Sequence, residues 1–233
     1  MKIALLGYGR MGKEIEKIAI NRGHEIVVIK NNEKKVDITL ADVAIDFSLP
    51  SSAFENISNC LLNKIPVVSG TTGWLDNYEK AINICKENNG AFIYASNFSV
   101  GVNLFFELNK QLAKMMNQFS TYNIEIEEIH HTKKLDAPSG TAITLAEGII
   151  ENSDKKDWEL SKKSNSNKIP ITAKRIPEVP GTHSILYSSE VDSIEIKHTA
   201  HNRKGFALGA VIAAEWLIGK SGVFSMKDVL NIS

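Results

Sequence analysis

The tightest constraint on the fold of this 233-residue chain is Gly7-Tyr8-Gly9-Arg10-Met11-Gly12, placed directly after the apolar run Ile3–Leu6 and directly before a helix-period segment. In a strand–turn–helix setting each glycine of such a run has a task. The first makes the tight turn, the second lets a ligand approach the backbone, and the third lets the helix come close to the strand. The free N–H groups of the helix start then face the turn, which suits a pyrophosphate. The segment predicts an N-terminal dinucleotide-binding unit, with Arg10 adding positive charge at the phosphates.

Strand and helix patterns alternate over the first hundred residues. Met11, Ile15, Ile18 and Ala19 recur at helical spacing, with Glu14, Glu16 and Lys17 on the other face. Ile26–Ile29 and Val43–Phe47 read as strands, and Pro50-Ser51 opens a helix carrying Phe54, Ile57 and Leu61. Val67-Val68 reads as a fourth strand, Tyr78–Cys85 as a helix and Ala91–Ala95 as a fifth strand. This alternation predicts a parallel sheet covered on both faces. Ligands of such sheets bind beyond the carboxyl ends of the strands. The turns Gly70-Thr71-Thr72-Gly73 and Ala95-Ser96-Asn97-Phe98-Ser99 are therefore expected to wall the nicotinamide side of the site.

The second strand runs out as Val28-Ile29-Lys30-Asn31-Asn32, with no carboxylate before Glu33. An acid at that place normally binds the ribose of NAD. Lys30 would instead attract a 2′-phosphate, so NADPH is expected to serve at least as well as NADH. A plain solvated lysine at a strand end is the alternative.

After Ser99 the pattern changes. Val102, Phe105, Leu108, Leu112, Met115 and Met116 form a long amphipathic helix. Tyr122, Ile124 and Ile126 then alternate with Asn123, Glu125 and Glu127, as in a strand with one wet face, and Glu128-Ile129 interrupts the alternation. A helix over about 140–150 follows, then the polar stretch Glu151–Lys168, expected to be an exposed loop. Ile169–Ile176, His183–Ser188 and Ser193–Lys197 read as strands, and a last helix carries Phe206, Ala210, Ala213, Ala214 and Leu217. The expected plan is an α/β chain. Residues 1–100 with 205–233 form a Rossmann-like dinucleotide-binding domain, and residues 101–204 an α+β domain with a mixed or antiparallel sheet.

Composition excludes several classes of function. Lys+Arg and Asp+Glu are both 27, and a neutral chain does not suit nucleic acid or a membrane surface. No apolar run approaches the roughly 18 residues of a membrane span, and residues 1–20 do not read as a signal peptide. Cys60 and Cys85 lie in amphipathic patterns, as structural thiols in a reducing, cytoplasmic setting. Yet His130, His131, His183, His198 and His201 share the second half with Lys133, Lys134, Lys174, Arg175, Arg203 and Lys204. A local cationic cluster on a neutral chain points to a small anionic ligand.

That cluster is densest at Glu128–Ala142, where His130-His131 and Lys133-Lys134 precede Pro138-Ser139-Gly140-Thr141 at a helix start. Groups that carry protons near neutral pH, beside the N–H groups of a helix N-terminus, can hold a small carboxylate and protonate it. A basic strand-to-helix loop is the alternative on composition alone. A metal site at His130/His131 is not expected, since adjacent strand residues face opposite ways and no third ligand is evident. Asp136 reads as a loop anchor or cap.

Taken in order, the Gly7–Gly12 loop, Gly70-Thr71-Thr72, Asn97–Asn103, Glu128–Ala142 and Phe206–Val211 resemble the 4-hydroxy-tetrahydrodipicolinate (dihydrodipicolinate) reductases of the diaminopimelate route to lysine, over nearly the full length. The resemblance implies NAD(P)H-dependent reduction of a cyclic imine dicarboxylate with release of water, by a cytoplasmic homotetramer assembled through the second domain's sheet. It assigns proton transfer to His130 and Lys134, and substrate contacts to His131, Gly140 and Thr141. Cofactor contacts fall on Gly7, Tyr8, Gly9, Arg10, Met11, Gly12, Gly70, Thr71, Thr72, Ala95, Ser96, Asn97 and Phe98. Lys133 is left a bystander. The departures from the family pattern are a glycine loop one residue short, a compressed Arg175–His183 stretch, and Lys30 where short-loop relatives tend to carry an acid.

Overall fold

The computed structural model describes residues 1–31, 36–161, 167–202 and 204–232. Glu33, Arg203 and part of the 151–168 stretch lie outside them. The chain divides into two compact units, residues 1–103 with 204–233, and residues 104–203.

The first unit is a six-stranded sheet, parallel throughout. Its strands are β1 (Lys2–Leu6), β2 (Glu25–Lys30), β3 (Val43–Asp46), β4 (Val67–Ser69), β5 (Ala91–Tyr94) and β11 (Gly222–Phe224), in the order β11-β5-β4-β3-β1-β2. Ile3, Leu5 and Ile45 face one core, and Ala4, Leu6 and Ala44 the other, so alternate residues of the same strands bury on opposite faces. Helices α1 (Arg10–Asn21) and α6 (Lys204–Leu217) close the first core, and α2 (Pro50–Leu62) and α3 (Tyr78–Glu87) the second. Pro50 opens α2 at a position where its missing N–H costs nothing.

The second unit is a mixed sheet in the order β10-β9-β6-β8-β7, built from β6 (Asn123–His130), β7 (Asp157–Leu160), β8 (Lys168–Arg175), β9 (Gly181–Ser188) and β10 (Ser193–Ala200). β6 and β7 each pair parallel with β8, whereas β9 runs antiparallel to β6 and β10. One face is covered through Phe105 and Leu112 of the long helix α4 (Val100–Met116) and Leu145 and Ile149 of α5 (Gly140–Ile150).

Three sequence expectations change. The 151–168 stretch is not simply a loop, because Asp157–Leu160 forms edge strand β7. The C-terminal end adds β11 and a short helix α7 (Met226–Leu230) beyond the last expected helix. Glu128-Ile129 does not break β6: Ile124, Ile126, Glu128 and His130 are all buried on one face, and the strand ends after His130.

Candidate active site

In the first unit the glycine run builds an open cradle. Gly7 has φ +97°, where side chains are strained, and a Cβ there would strike the Phe47 carbonyl. A Cβ on Gly12 would strike the Gly7 carbonyl, so the third glycine lets α1 close onto the loop itself. Gly9, the N-cap of α1, has nothing within 4 Å of its Cβ position and no side-chain cap, which leaves its surroundings open to a phosphate. These features fit a dinucleotide pyrophosphate. Tyr8 donates from its hydroxyl to Glu16 at 2.5 Å, Met11 packs against the core and Arg10 is exposed.

Sequence reasoning missed Asp46, which organises the strand-end turns. It is fully buried at the end of β3 and accepts from Ser48 Oγ at 2.7 Å, Asn56 Nδ2 at 3.0 Å, Ser69 Oγ at 2.8 Å and Thr71 Oγ1 at 2.7 Å. Burial pushes its carboxyl above the usual range even against these four donors. Its position after Val-Ala-Ile was the available signal: an acid ending an apolar parallel strand points at the ligand edge.

Gly70 lies against the Phe47 ring, which a Cβ would overlap, and Thr71 is fixed by Asp46 while Thr72 is exposed. Asn97 accepts the Ser99 N–H at 2.9 Å. Ala95 donates its N–H to the Ser69 carbonyl at 3.2 Å, and Ser96 follows it in the turn. Phe98 is buried in the core beside Phe47, with ring centroids 5.8 Å apart, so its side chain packs the core rather than facing a ligand.

Lys30 lines a cleft of about 1120 Å³ together with Gly7, Tyr8, Gly9, Ser51 and Ser52. Its ammonium donates to Asn56 Oδ1 at 2.8 Å, so Lys30 is held in the cleft wall rather than loose in solvent.

In the second unit the His-His segment surrounds a buried carboxylate. Glu128, with no solvent exposure, accepts the Ser139 N–H at 3.0 Å on Oε2 and the Arg175 guanidinium at 3.2 Å on Oε1. His130 Nδ1 stands 3.5 Å and His183 Nε2 3.7 Å from Oε2, and the two rings meet edge to face with centroids 5.0 Å apart. His183 Nε2 also lies 3.1 Å from Ser139 Oγ. Burial alone would raise the Glu128 carboxyl, but His183, Ser139 and His130 outweigh it and hold it at about 2. Burial lowers His130 to about 4, helped by His183, Lys134 and Arg175 and opposed by Glu128. Unliganded, His130 is therefore neutral at pH 7.

Arg175 ties the loop to this cluster, donating to the carbonyls of Asp136 at 2.6 Å and Lys134 at 3.4 Å. Lys134 is paired with Asp136 at 2.8 Å, so Asp136 is a partner for the candidate proton donor. The cap of α5 is Ser139, whose Oγ accepts the Ala142 N–H at 3.2 Å. Gly140 and Thr141 form the first turn of α5, and nothing lies within 4 Å of a Cβ position on Gly140. His131, beyond the strand end, is half-buried with Nδ1 lacking a hydrogen-bond partner among the described residues; Lys133 is exposed.

The ground for setting metal aside also changes. A third donor does exist, because donor atoms of Glu128, His130 and His183 lie within 4.8 Å of one another. His131 is not in that set. The charges of Arg175 and Lys134 beside these donors, and the Ser139 N–H on Oε2, oppose a dication there.

Family models match both halves of the chain. The family model described as "Dihydrodipicolinate reductase, N-terminus" matches residues 1–98, and that described as "Dihydrodipicolinate reductase, C-terminus" matches residues 101–230. A relative in Christiangramia forsetii, named 4-hydroxy-tetrahydrodipicolinate reductase, is 59% identical across 99% of this chain and 98% of its own. One of the same name in Thermosipho africanus is 34% identical across 99% and 98%. Among solved structures, a dipicolinate-bound dihydrodipicolinate reductase from Paenisporosarcina sp. TG-14 shares the fold, with a TM-score of 0.77 at 24% identity over 97% of each chain. The chain belongs to the 4-hydroxy-tetrahydrodipicolinate (dihydrodipicolinate) reductase family.

Proposed function

We propose that His130 and Lys134 handle the protons, and that His131 and the Gly140–Thr141 helix start hold the carboxylates, in the reaction of this family. The chain is an NAD(P)H-dependent oxidoreductase that reduces 4-hydroxy-tetrahydrodipicolinate to tetrahydrodipicolinate with release of water, in the diaminopimelate route to lysine. The observation that carries the residue assignment is the position of His130 at the end of β6. It sits beside a buried carboxylate and is followed by a capped helix start whose first glycine opens onto free space.

Loss of the substrate's 4-hydroxyl with a proton from the neighbouring ring carbon, as water, leaves a C=C conjugated with the ring C=N, and bound NAD(P)H would supply a hydride to the far carbon of that C=C. Residues 7–12 fit its pyrophosphate, and the turns at 70–72 and 95–98 complete the contacts. Electron density moves towards the ring nitrogen, and the enamine so formed must take a proton on carbon. His130 is neutral in the free chain, so it acquires that proton when the dianionic substrate brings negative charge beside it. Lys134, held by Asp136 until a substrate carboxylate competes for it, supplies a cation as negative character develops. The N–H groups of Gly140 and Thr141 and the Thr141 hydroxyl are donors for a carboxylate at the positive end of α5.

NADPH serves at least as well as NADH on this reading, because Lys30, Ser51 and Ser52 line the cleft beside the glycine loop. The open face of the second sheet carries Glu125, Leu186 and Glu195 in one row and Glu127, Ser184 and Lys197 in the next, a surface for assembling a homotetramer. No helix among the described residues is long and apolar enough to cross a membrane, and both cysteines are buried and free, in keeping with a cytoplasmic enzyme.

Following NADPH and NADH oxidation with freshly generated 4-hydroxy-tetrahydrodipicolinate, and identifying the product, tests this reading. Lys30→Glu should lower kcat/KM for NADPH by about tenfold relative to NADH. An unchanged ratio would end the 2′-phosphate role of Lys30.

A further inference from the structure

The proton chemistry above leaves Glu128, His183 and Ser139 without a task, although all three are buried. Position 128 continues the Ile124, Ile126 face of β6, where packing alone calls for an aliphatic side chain. A carboxylate with no solvent exposure is costly there, and its removal from water is offset only by partners that use its charge. Those partners are the Arg175 guanidinium, the Ser139 N–H, and the His130 and His183 rings. His130 Nδ1 has no hydrogen-bond partner among the described residues, and 3.5 Å to Oε2 is the separation of a charge neighbour. On the other edge of the ring, Nε2 lies against Gly181, where a Cβ would come within 3.2 Å.

We infer that Glu128 is a positioning residue that keeps His130 with Nδ1 inward and Nε2 on the Gly181 side, and that Glu128 and His183 act in opposite senses on the charge of that ring. The groups facing His130 are Glu128 on its own strand, His183 on β9, Arg175 on β8 and Lys134 in the following loop. The Ser139 hydroxyl, which meets His183, joins this set to the start of α5. One carboxylate thus ties the proton-carrying ring to the candidate anion-binding turn. The inference rests on the proposed role of His130, but it makes a claim about the free protein that does not depend on turnover.

The test is the titration of His130 in the full-length free enzyme by proton–nitrogen NMR of the imidazoles, for wild type, Glu128→Gln and His183→Gln, beside kcat and KM. Glu128→Gln keeps an acceptor for the Ser139 N–H and removes the charge. It should move the His130 midpoint down by about half a pH unit or more and lower kcat about 10–100-fold with KM little changed. His183→Gln removes the neighbouring ring that opposes a charge on His130 and should move the midpoint up, and Glu128→Asp should restore the wild-type direction. Midpoints that stay put in both glutamine variants, or that move the same way, overturn the inference. If Glu128→Gln does not fold, the sign of the His183→Gln shift decides alone. Tight one-to-one binding of Zn²⁺ by the wild type that Glu128→Gln abolishes would also overturn it, by making the trio a cation site. A His130→Gln variant with full activity would refute the proton role of His130 and leave the titration result standing.

Discussion

Glu128 Oε2 lies 3.5 Å from Nδ1 of His130, and the two side chains project from the same covered face of one strand, two residues apart. The pair places a negative charge behind a ring that is otherwise pushed towards neutrality by burial and by the neighbouring His183, Lys134 and Arg175. The ring is thus neutral at pH 7, the state from which the proposed role has it take a proton when an anion arrives.

Stability should fall as pH drops through this pair. His130 protonates near 6.5 in the unfolded chain and at about 4 in the folded one, so between those values the unfolded state binds more protons. The contribution is complete above pH 6.5 and is lost towards pH 4, by about 1–3 kcal/mol. Glu128, lowered from 4.5 to about 2, continues the loss at lower pH. Urea unfolding at pH 7, 5.5 and 4.5 should show a steeper decline for wild type than for His130→Gln. Equal declines would remove His130 as the cause.

Gly181 should be sensitive in rate to even a methyl group. A Cβ there would stand 3.2 Å from His130 Nε2 and 3.3 Å from Cδ2, so the ring must yield by a few tenths of an ångström. Gly181→Ala should lower kcat about 3–10-fold with stability nearly intact, and Gly181→Val should lower it further, since small misplacements of a proton carrier are costly in rate. A Val variant with wild-type kcat would show that the ring position is unimportant.

At the other half of the chemistry, Gly7→Ala should weaken both fold and cofactor binding. The added Cβ meets the Phe47 carbonyl and the backbone is held at φ +97°, a conformation costing a non-glycine residue about 1–3 kcal/mol. Denaturant unfolding together with NADPH titration by nucleotide fluorescence would show both losses. Unaltered stability would mean that the turn relaxes freely.

Much of this arrangement was legible in the chain because local pattern and local geometry coincide. The five parallel strands and the glycine loop each follow from a few adjacent residues, as do the helix starts at Pro50 and Gly140. What was hidden depends on residues distant in sequence. Glu128 looked like the end of an alternation, and only the register of β6 with β8 and β9 shows that Arg175 and His183 come to meet it. Asp46 lay unremarked inside the Val43–Phe47 strand, and its partners Ser69 and Thr71 come from another strand and its turn. β7 escaped notice because four residues on the edge of a sheet, in a polar stretch, carry almost no periodic signal.

The proposed role of His130 and Lys134 is to carry the proton transfers of the reduction. Its most direct test is kcat for substrate-dependent NADPH oxidation in His130→Gln and Lys134→Ala, with folding checked by circular dichroism. Both variants should fold and bind the cofactor normally while kcat falls about 10²–10⁴-fold. Folded variants that both retain full wild-type kcat would contradict it.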